Sequence, residues 1–424
     1  RGDKRKQNAL PSPVGRRPAQ SVAVRRRPAA AARRRAPPRA ASAAAGQVEA
    51  VGRGPASLKP AELLNEGGSE QRKVLVLYTG GTMGMQDLGN GSLGPVPGAL
   101  AERLRKMEEL DQTRMPRCYF VEFQPLMDSA DMSPTDWTAI AQAIHDEYYS
   151  YDGFVVVHGT DTLAYTASAL SFMLEQLAKP VVITGSMMPF FEPLSDARQN
   201  FLGAVVFAGL ADISEVAVFI AGKLYRGNRT NKADATSLEA FTSPSYPPLA
   251  ELGAEINIFR RRLREPPRGR FRLHPILVTE ILVVWVIPGF SDDFFEPLFR
   301  SKCVKGMVLL LYGCGTAPAR KESFLRHLRR LIKSGVVVVA CSQCLKGTVA
   351  LEKYGVGKAF QDCGVISAGD MTTEAAVTKL AYLLSKGLPP EQCRKAMEED
   401  LRGEISTEVT TFSINEPVTG LSSL

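Results

Sequence analysis

Between residues 73 and 220 short apolar runs alternate with longer amphipathic stretches. The runs at 74–78, 119–123, 153–157, 180–184 and 216–220 have the length and β-branched content of strands, and the stretches between them carry apolar residues at helical spacing. Two helices are marked further. The pattern at 134–148 opens with the cap Ser133 ahead of Pro134 at the first helical position, and 162–177 is apolar at nearly every third or fourth position. Strand and helix in this rhythm predict βαβ units on a parallel sheet. A second series follows, with strands at 282–286, 306–311 and 336–340 and helical patterns at 293–299 and 321–334. The fold class expected is α/β, as two Rossmann-like or flavodoxin-like domains, the larger one N-terminal.

The segments outside this pattern set the boundaries. Residues 1–70 are Arg, Ala, Pro and Ser in irregular order (RRRPAAAARRRAPPRAASAAA) with almost no aliphatic periodicity, so they are expected to form a disordered basic leader. Its composition suits an organelle transit peptide or upstream sequence foreign to the mature protein, ahead of nucleic-acid binding by the Arg clusters. Residues 71–243 are then the N-terminal domain, 244–274 (with SPSYPP and RRRLREPPRGR) a linker, and 275–424 a C-terminal domain with a short tail. The most apolar run, 276–288, is too short for a membrane helix of about 20 residues and contains Glu280, so it predicts a buried strand.

Charge and cysteine content narrow the classes. The 424 residues carry a formal +8, but residues 1–59 hold 15 Lys and Arg against Asp3 and Glu49, a local +13 that leaves −5 for the rest. The folded part is thus mildly acidic, and neither nucleic acid nor a membrane is expected as its partner. Seven cysteines at irregular spacing argue against a disulfide framework and for a reducing compartment. Cys341 and Cys344 have CxxC spacing without the second half of a zinc site, and read as packed thiols.

Candidate chemistry clusters just past the strands, where open parallel sheets place functional residues. YTGGTMG (78–84) follows the first strand; Gly80 and Gly81 open backbone angles that let amide groups bind an anion, although a plain tight turn would look the same. The loop carries neither GxGxxG nor GxxxxGK[ST], which weakens a nucleotide role. HGTDT (158–162) follows the third strand, and there Thr160 and Asp161 are either helix caps or a hydroxyl and carboxylate aimed at the crevice. A hydroxyl nucleophile needs a base. His145, His158, His274 and His327 all lack a nucleophile context, which leaves Lys232, in LYRGNRTNKADA, as base or as one more surface cation. Asp128, Ser129 and Ala130, in DSADM after the second strand, offer small polar groups at the same edge or a turn cap.

Together these segments resemble the type I, cytoplasmic L-asparaginases: YTGGTMGM, DSADM, HGTDTLAYTASALSFMLEQLAKPVVITGS, SDARQN, LYRGNRTNKADA, GVISAGDMTTEAAVTKLAYLLS and DLRGE, over residues 73 to about 405. The resemblance implies an active site in the crevice between two α/β domains and hydrolysis of L-asparagine to L-aspartate and ammonia through a β-aspartyl ester. It further implies Thr82 as nucleophile, assisted by Thr160, Asp161 and Lys232, with Asp128, Ser129, Ala130, Thr160 and Asp161 binding substrate. It implies no metal or organic cofactor, a homo-oligomer (dimer or tetramer) and a cytoplasmic location. Three features depart from the family pattern. The stretch 86–98 lacks the lid tyrosine, Thr316 in GCGTAP stands where many members have Asn, and Ser245 replaces the Asn of an SPN turn. Alternative readings are the ammonia-releasing amidase subunit of a Glu-tRNA amidotransferase, a glutaminase-leaning specificity, and a non-catalytic binding protein that retains the fold.

Overall fold

The first strand of the alternating region, β1 (Lys73–Tyr78), is apolar on both faces, so it belongs in the middle of a sheet covered on both sides. Leu75 and Leu77 enter one core, and Val74, Val76 and Tyr78 the other. The computed structural model describes residues 57–65, 72–89 and 91–407. In it β1 lies between β2 (Arg117–Gln124) and β3 (Gly153–Val157), parallel to both. β4 (Val181–Thr184) and β5 (Val216–Ile220) extend the parallel run. The resulting order, 2-1-3-4-5, is that of a flavodoxin-like sheet, whose switch point between β1 and β3 opens a crevice at the carboxyl ends of the strands.

Helices cover the sheet where the pattern places them. α1 (Ala99–Leu104) and α4 (Ala197–Leu210) pack their apolar residues into the core that holds Val74 and Val76. α2 (Pro134–Asp146) and α3 (Leu163–Met173) join the opposite core. α2 starts as expected: the Ser133 N–H and hydroxyl donate to Asp136 Oδ2 at 2.8 and 2.6 Å, which satisfies a backbone group the helix leaves orphaned. A second sheet, β9 (Ile281–Trp285), β10 (Gly306–Leu311), β11 (Val337–Ser342) and β12 (Ile366–Ser367), is parallel in simple sequence order. Between its strands run α5 (Phe295–Ser301), α6 (Glu322–Lys333) and α7 (Gly355–Asp362), and α8 (Thr373–Ser385) and α9 (Pro390–Glu398) follow it.

α3 joins the two layers. Every residue of it but Tyr165 is buried, and a helix apolar all round has to be enclosed on all sides. Its second wall is α8, where Ser168 Oγ and Thr378 Oγ1 lie 2.7 Å apart and Tyr382 donates to Glu175 Oε1 at 2.6 Å. Leu170 and Phe172 share one continuous core with Leu380 and Leu383; burying each such side chain contributes about 1.5–3 kcal/mol.

The structure departs from the sequence expectation in four places. Part of the stretch expected to be disordered is paired: Ser57–Leu58 and Glu62–Leu63 run antiparallel to β2, Lys59 bonds Glu122 at 2.6 Å, and the buried Asn65 accepts from Cys118 N–H at 2.7 Å. The free edge of β2 supplies the hydrogen-bonding groups that a local reading of composition leaves out; residues 1–56 lie outside the described residues. Second, 244–274 is more than a linker. After β6 (Lys223–Arg226), the strands β7 (Ala250–Leu252) and β8 (Ile256–Ile258) extend the large sheet antiparallel, and Arg272–Leu273 pairs with Leu174–Glu175. That last pairing also ends α3 at Met173, short of 177. Fourth, the run 276–288 does contain β9, but as an edge strand, with Val283 and Trp285 exposed. Among the described residues no helix is long and apolar enough to cross a membrane.

Candidate active site

Loops leaving β1, β2 and β3 meet backbone to backbone at the crevice. Gly80 and Gly81 have φ of 130° and 93°, a region that favours glycine, and the absence of side chains lets the chains close up. A Cβ on Gly81 would lie 2.3 Å from Gly159 Cα, one on Gly80 2.1 Å from Met127 O, and one on Gly159 2.5 Å from Ser129 Oγ. Hydrogen bonds fix the same contacts. Thr79 N–H donates to Val157 O at 3.0 Å, Met127 N–H to Thr79 O at 2.7 Å, and the Thr162 hydroxyl to Ser129 O at 2.6 Å.

Thr82 and Thr160 are each one residue beyond the Gly81–Gly159 contact. Thr82 is half-buried, opens the turn Thr82–Gly84, and its hydroxyl has no hydrogen-bond partner among the described residues. Thr160 is buried. Lys232 Nζ donates to Thr160 Oγ1 at 3.0 Å and to Asp161 Oδ1 at 2.7 Å. Thr160 and Asp161 therefore do not cap α3: the N-cap position is Thr162, and the two side chains engage the lysine. The lysine side chain is 17% exposed and the Asp161 side chain 65%, so the carboxylate is open to solvent while the lysine is largely enclosed. Asp128 does serve as a turn cap, its Oδ1 accepting from Ala130 N–H at 2.9 Å, while Ser129 is buried against Gly159 and Ala130 stays exposed.

Residues beyond the sequence-derived candidates hold Lys232 in place. The lysine follows the turn Gly227–Arg229, and Arg229, 2% exposed, forms an ion pair with Asp370 at 2.8 Å while its Nε donates to Gly403 O at 2.6 Å. Asn228 Nδ2 donates to Arg402 O at 3.0 Å, and Asn231 Nδ2 to Glu374 Oε1 at 2.7 Å. Burial pushes the Glu374 carboxyl above its usual range despite those bonds. The second sheet's segments GDMTTE and DLRGE thus clamp the turn from across the domain boundary. Both segments lie in stretches that carry the family resemblance, but nothing in their own composition assigns them a contact with the Lys232 turn.

His158 is fully buried, Nδ1 2.7 Å from Gly159 O and Nε2 3.0 Å from Thr166 Oγ1, which also accepts from Trp137 Nε1 at 3.0 Å. A carbonyl only accepts, so Nδ1 carries the proton and Nε2 accepts from the threonine. Burial lowers this imidazole to about 4, which keeps it neutral as a brace for the Gly159 carbonyl. Cys341 is buried, its thiol pushed up to about 12, while Cys344 is exposed. No cluster suited to a metal occurs among the described residues. Of the departures noted in sequence, the stretch without the lid tyrosine holds a small ribbon, Met85–Asp87 against Leu93–Pro95, directly after the Thr82 turn, and Thr316 hydrogen-bonds Tyr312 through its backbone at 2.9 Å.

The arrangement unites a free hydroxyl, a hydroxyl bonded to the Lys232 amino group, and a carboxylate at one sheet rim. The family model for the asparaginase N-terminal domain matches residues 73–264, and that for the glutaminase/asparaginase C-terminal domain matches 280–397. The chain is 47% identical over 343 residues to L-asparaginase 1 of Escherichia coli (strain K12), covering 80% of this chain and 99% of that protein. It is 39% identical over 373 residues to the 60 kDa lysophospholipase of Mus musculus, covering 82% of this chain and 65% of that one. The crystal structure of L-asparaginase I from Vibrio cholerae O1 biovar eltor matches with a TM-score of 0.73 at 42% identity, over 79% of this chain and 99% of that one.

Proposed function

The chain belongs to the asparaginase family, and on that premise we propose that Thr82 is the nucleophile of an L-asparaginase assisted by Thr160, Asp161 and Lys232. The enzyme is an amidohydrolase that converts L-asparagine to L-aspartate and ammonia. In the proposed course the Thr82 hydroxyl attacks the side-chain amide carbon and its proton leaves through the Thr160–Lys232 pair. That proton goes to the departing nitrogen, the C–N bond breaks, and ammonia leaves with the β-aspartyl group esterified to Thr82. Water then cleaves the ester and restores the hydroxyl, so atoms balance without a cofactor. Backbone N–H groups at the Gly81–Gly159 contact are suited to the tetrahedral oxyanion, where one donor is typically worth about 10²-fold or more in rate. Asp161 positions the lysine, and Asp128, Ser129 and Ala130 frame the place for the substrate's α-amino and α-carboxylate groups.

The observation that carries this reading is Lys232 Nζ at 3.0 Å from Thr160 and 2.7 Å from Asp161, one residue from the loop contact that also seats Thr82. A homo-oligomer and a cytoplasmic location are part of the same reading and rest on the family. Its test is ammonia release from asparagine and from glutamine by the chain alone, beside Thr82→Ala and Lys232→Ala. Asparagine turnover that both substitutions lower by orders of magnitude is expected. Normal turnover by Thr82→Ala removes it from the nucleophile role, and turnover only with an added partner subunit favours an amidotransferase.

A further inference from the structure

A cavity of about 190 Å³ lies beside α3 and β5, and none of the proposed active-site residues lines it. Its wall carries three guanidinium groups, Arg226, Arg264 and Arg402, against the carboxylates of Glu215 and Glu265. The pairing among these charges is uneven. Arg226 is satisfied: Nε and NH2 donate to Glu215 at 2.6 and 3.4 Å, NH2 also to Arg262 O at 2.7 Å, and NH1 to Gly403 O at 3.3 Å. Glu215 Oε1 accepts the Arg264 backbone N–H as well, at 3.0 Å. The other two guanidinium groups share one backbone acceptor, Leu401 O, at 3.3 Å from Arg264 NH1 and 2.8 Å from Arg402 NH1.

Two positive heads thus stand side by side with no carboxylate bonded to either among the described residues. Arg402 Nε is buried without a hydrogen-bond partner, and among the described residues the Arg264 side chain makes no hydrogen bond beyond that to Leu401 O. Glu265 is exposed to solvent, and the carboxylates that act through space, Glu215 and Asp400 on Arg264 and Glu175 on Arg402, are bonded elsewhere: Glu215 to Arg226, Glu175 to Tyr382 and Lys386, and Asp400 Oδ1 to Gly403 N–H at 2.5 Å. Burial, reinforced by the Arg402 charge, holds the Arg264 guanidinium below its ordinary value, the same imbalance seen from the side of protonation. Cations withdrawn from water need a counter-charge, and a buried donor left unpaired calls for a water or an ion.

We propose that this cavity is a binding site for a small oxyanion, a phosphate or carboxylate group held between Arg264 and Arg402. A guanidinium offers paired N–H donors at the spacing of two oxygens on one centre, which suits either group. One water needs only about 10–15 Å³ on the same measure, so the space admits a group of several heavy atoms. The chain that borders the cavity, 260–272, also exposes Arg260, Arg261, Arg268 and Arg270, which raise the local concentration of anions.

The test is calorimetric titration of the whole chain with sodium phosphate, and separately with sodium malonate, at ionic strength held constant with chloride. Arg264→Gln is the variant of choice, because Arg402 O supports Asn228 and through it the Lys232 turn. Saturable binding of at least one probe is expected, weakened at least about tenfold in Arg264→Gln while asparagine turnover stays unchanged. Arg264→Lys, which keeps the charge and loses the fork, should fall between the two and decides the matter if the Gln variant does not fold. Phosphate binding alone assigns a phosphate group, and malonate binding a carboxylate. Absence of saturable binding by either probe, or equal binding by wild type and the folded variants, overturns the proposal.

Discussion

Replacing Gly81 by alanine tests whether the loop contact at the crevice sets the chemistry. The new Cβ would stand 2.3 Å from Gly159 Cα, where ordinary contact begins at 3.4 Å, so the two loops have to separate by roughly 1 Å. Both partners are backbone, which leaves no rotamer to absorb the clash. A misplacement of about 1 Å between reacting groups costs on the order of 100-fold in rate, and kcat/KM for asparagine is expected to fall by about that factor. Stability falls as well, by roughly 1–3 kcal/mol for alanine held at positive φ and about 1–3 kcal/mol for overpacking. Gly289→Ala is the control, since its φ is +79° and nothing lies within 4 Å of the added Cβ. It should show the first stability cost, without the second and without loss of activity. The assays are coupled ammonia detection and urea denaturation of both variants. Wild-type kcat/KM in a folded Gly81→Ala protein would refute the idea that Thr82 and Thr160 act across this contact.

Two further outcomes follow from buried charge. Asp370→Asn leaves the Arg229 guanidinium buried without its counter-charge, and breaking such a pair typically costs about 3–5 kcal/mol; urea denaturation should report that loss, with a fall in kcat from the loosened Lys232 turn. His158 stays neutral in the fold down to about 4 and takes a proton at an ordinary 6.5 when unfolded. The unfolded chain therefore binds more protons between those values, and stability falls as pH drops through that window, by about 3 kcal/mol in full. The difference in unfolding free energy between pH 7 and pH 4.5 should be smaller by most of that amount in His158→Gln, and an unchanged pH dependence would show that burial does not hold the imidazole neutral.

What local sequence determined here is the set of elements and the ends at which chemistry sits. Runs such as 153–157 and 216–220 are apolar on both faces, and only a strand covered on both sides buries both, so the strands and the parallel sheet were legible. The polar clusters after those strands were legible for the same reason, because the crevice of a parallel sheet lies at the carboxyl ends. Tertiary structure decided the rest. Whether Thr160 and Asp161 cap a helix or bind a lysine depends on where Lys232, 71 residues beyond Asp161, comes to lie. The clamp of Arg229, Asp370 and Glu374 and the unbalanced Arg264 and Arg402 arise from charges far apart in sequence that share a buried space. Pairing of Ser57–Leu58 and of 250–258 with the sheet was likewise invisible, because an edge strand draws its hydrogen bonds from a neighbour that composition does not name. Periodicity reports what each residue wants from its surroundings, while burial of charge and completion of sheet edges depend on which surroundings the fold supplies.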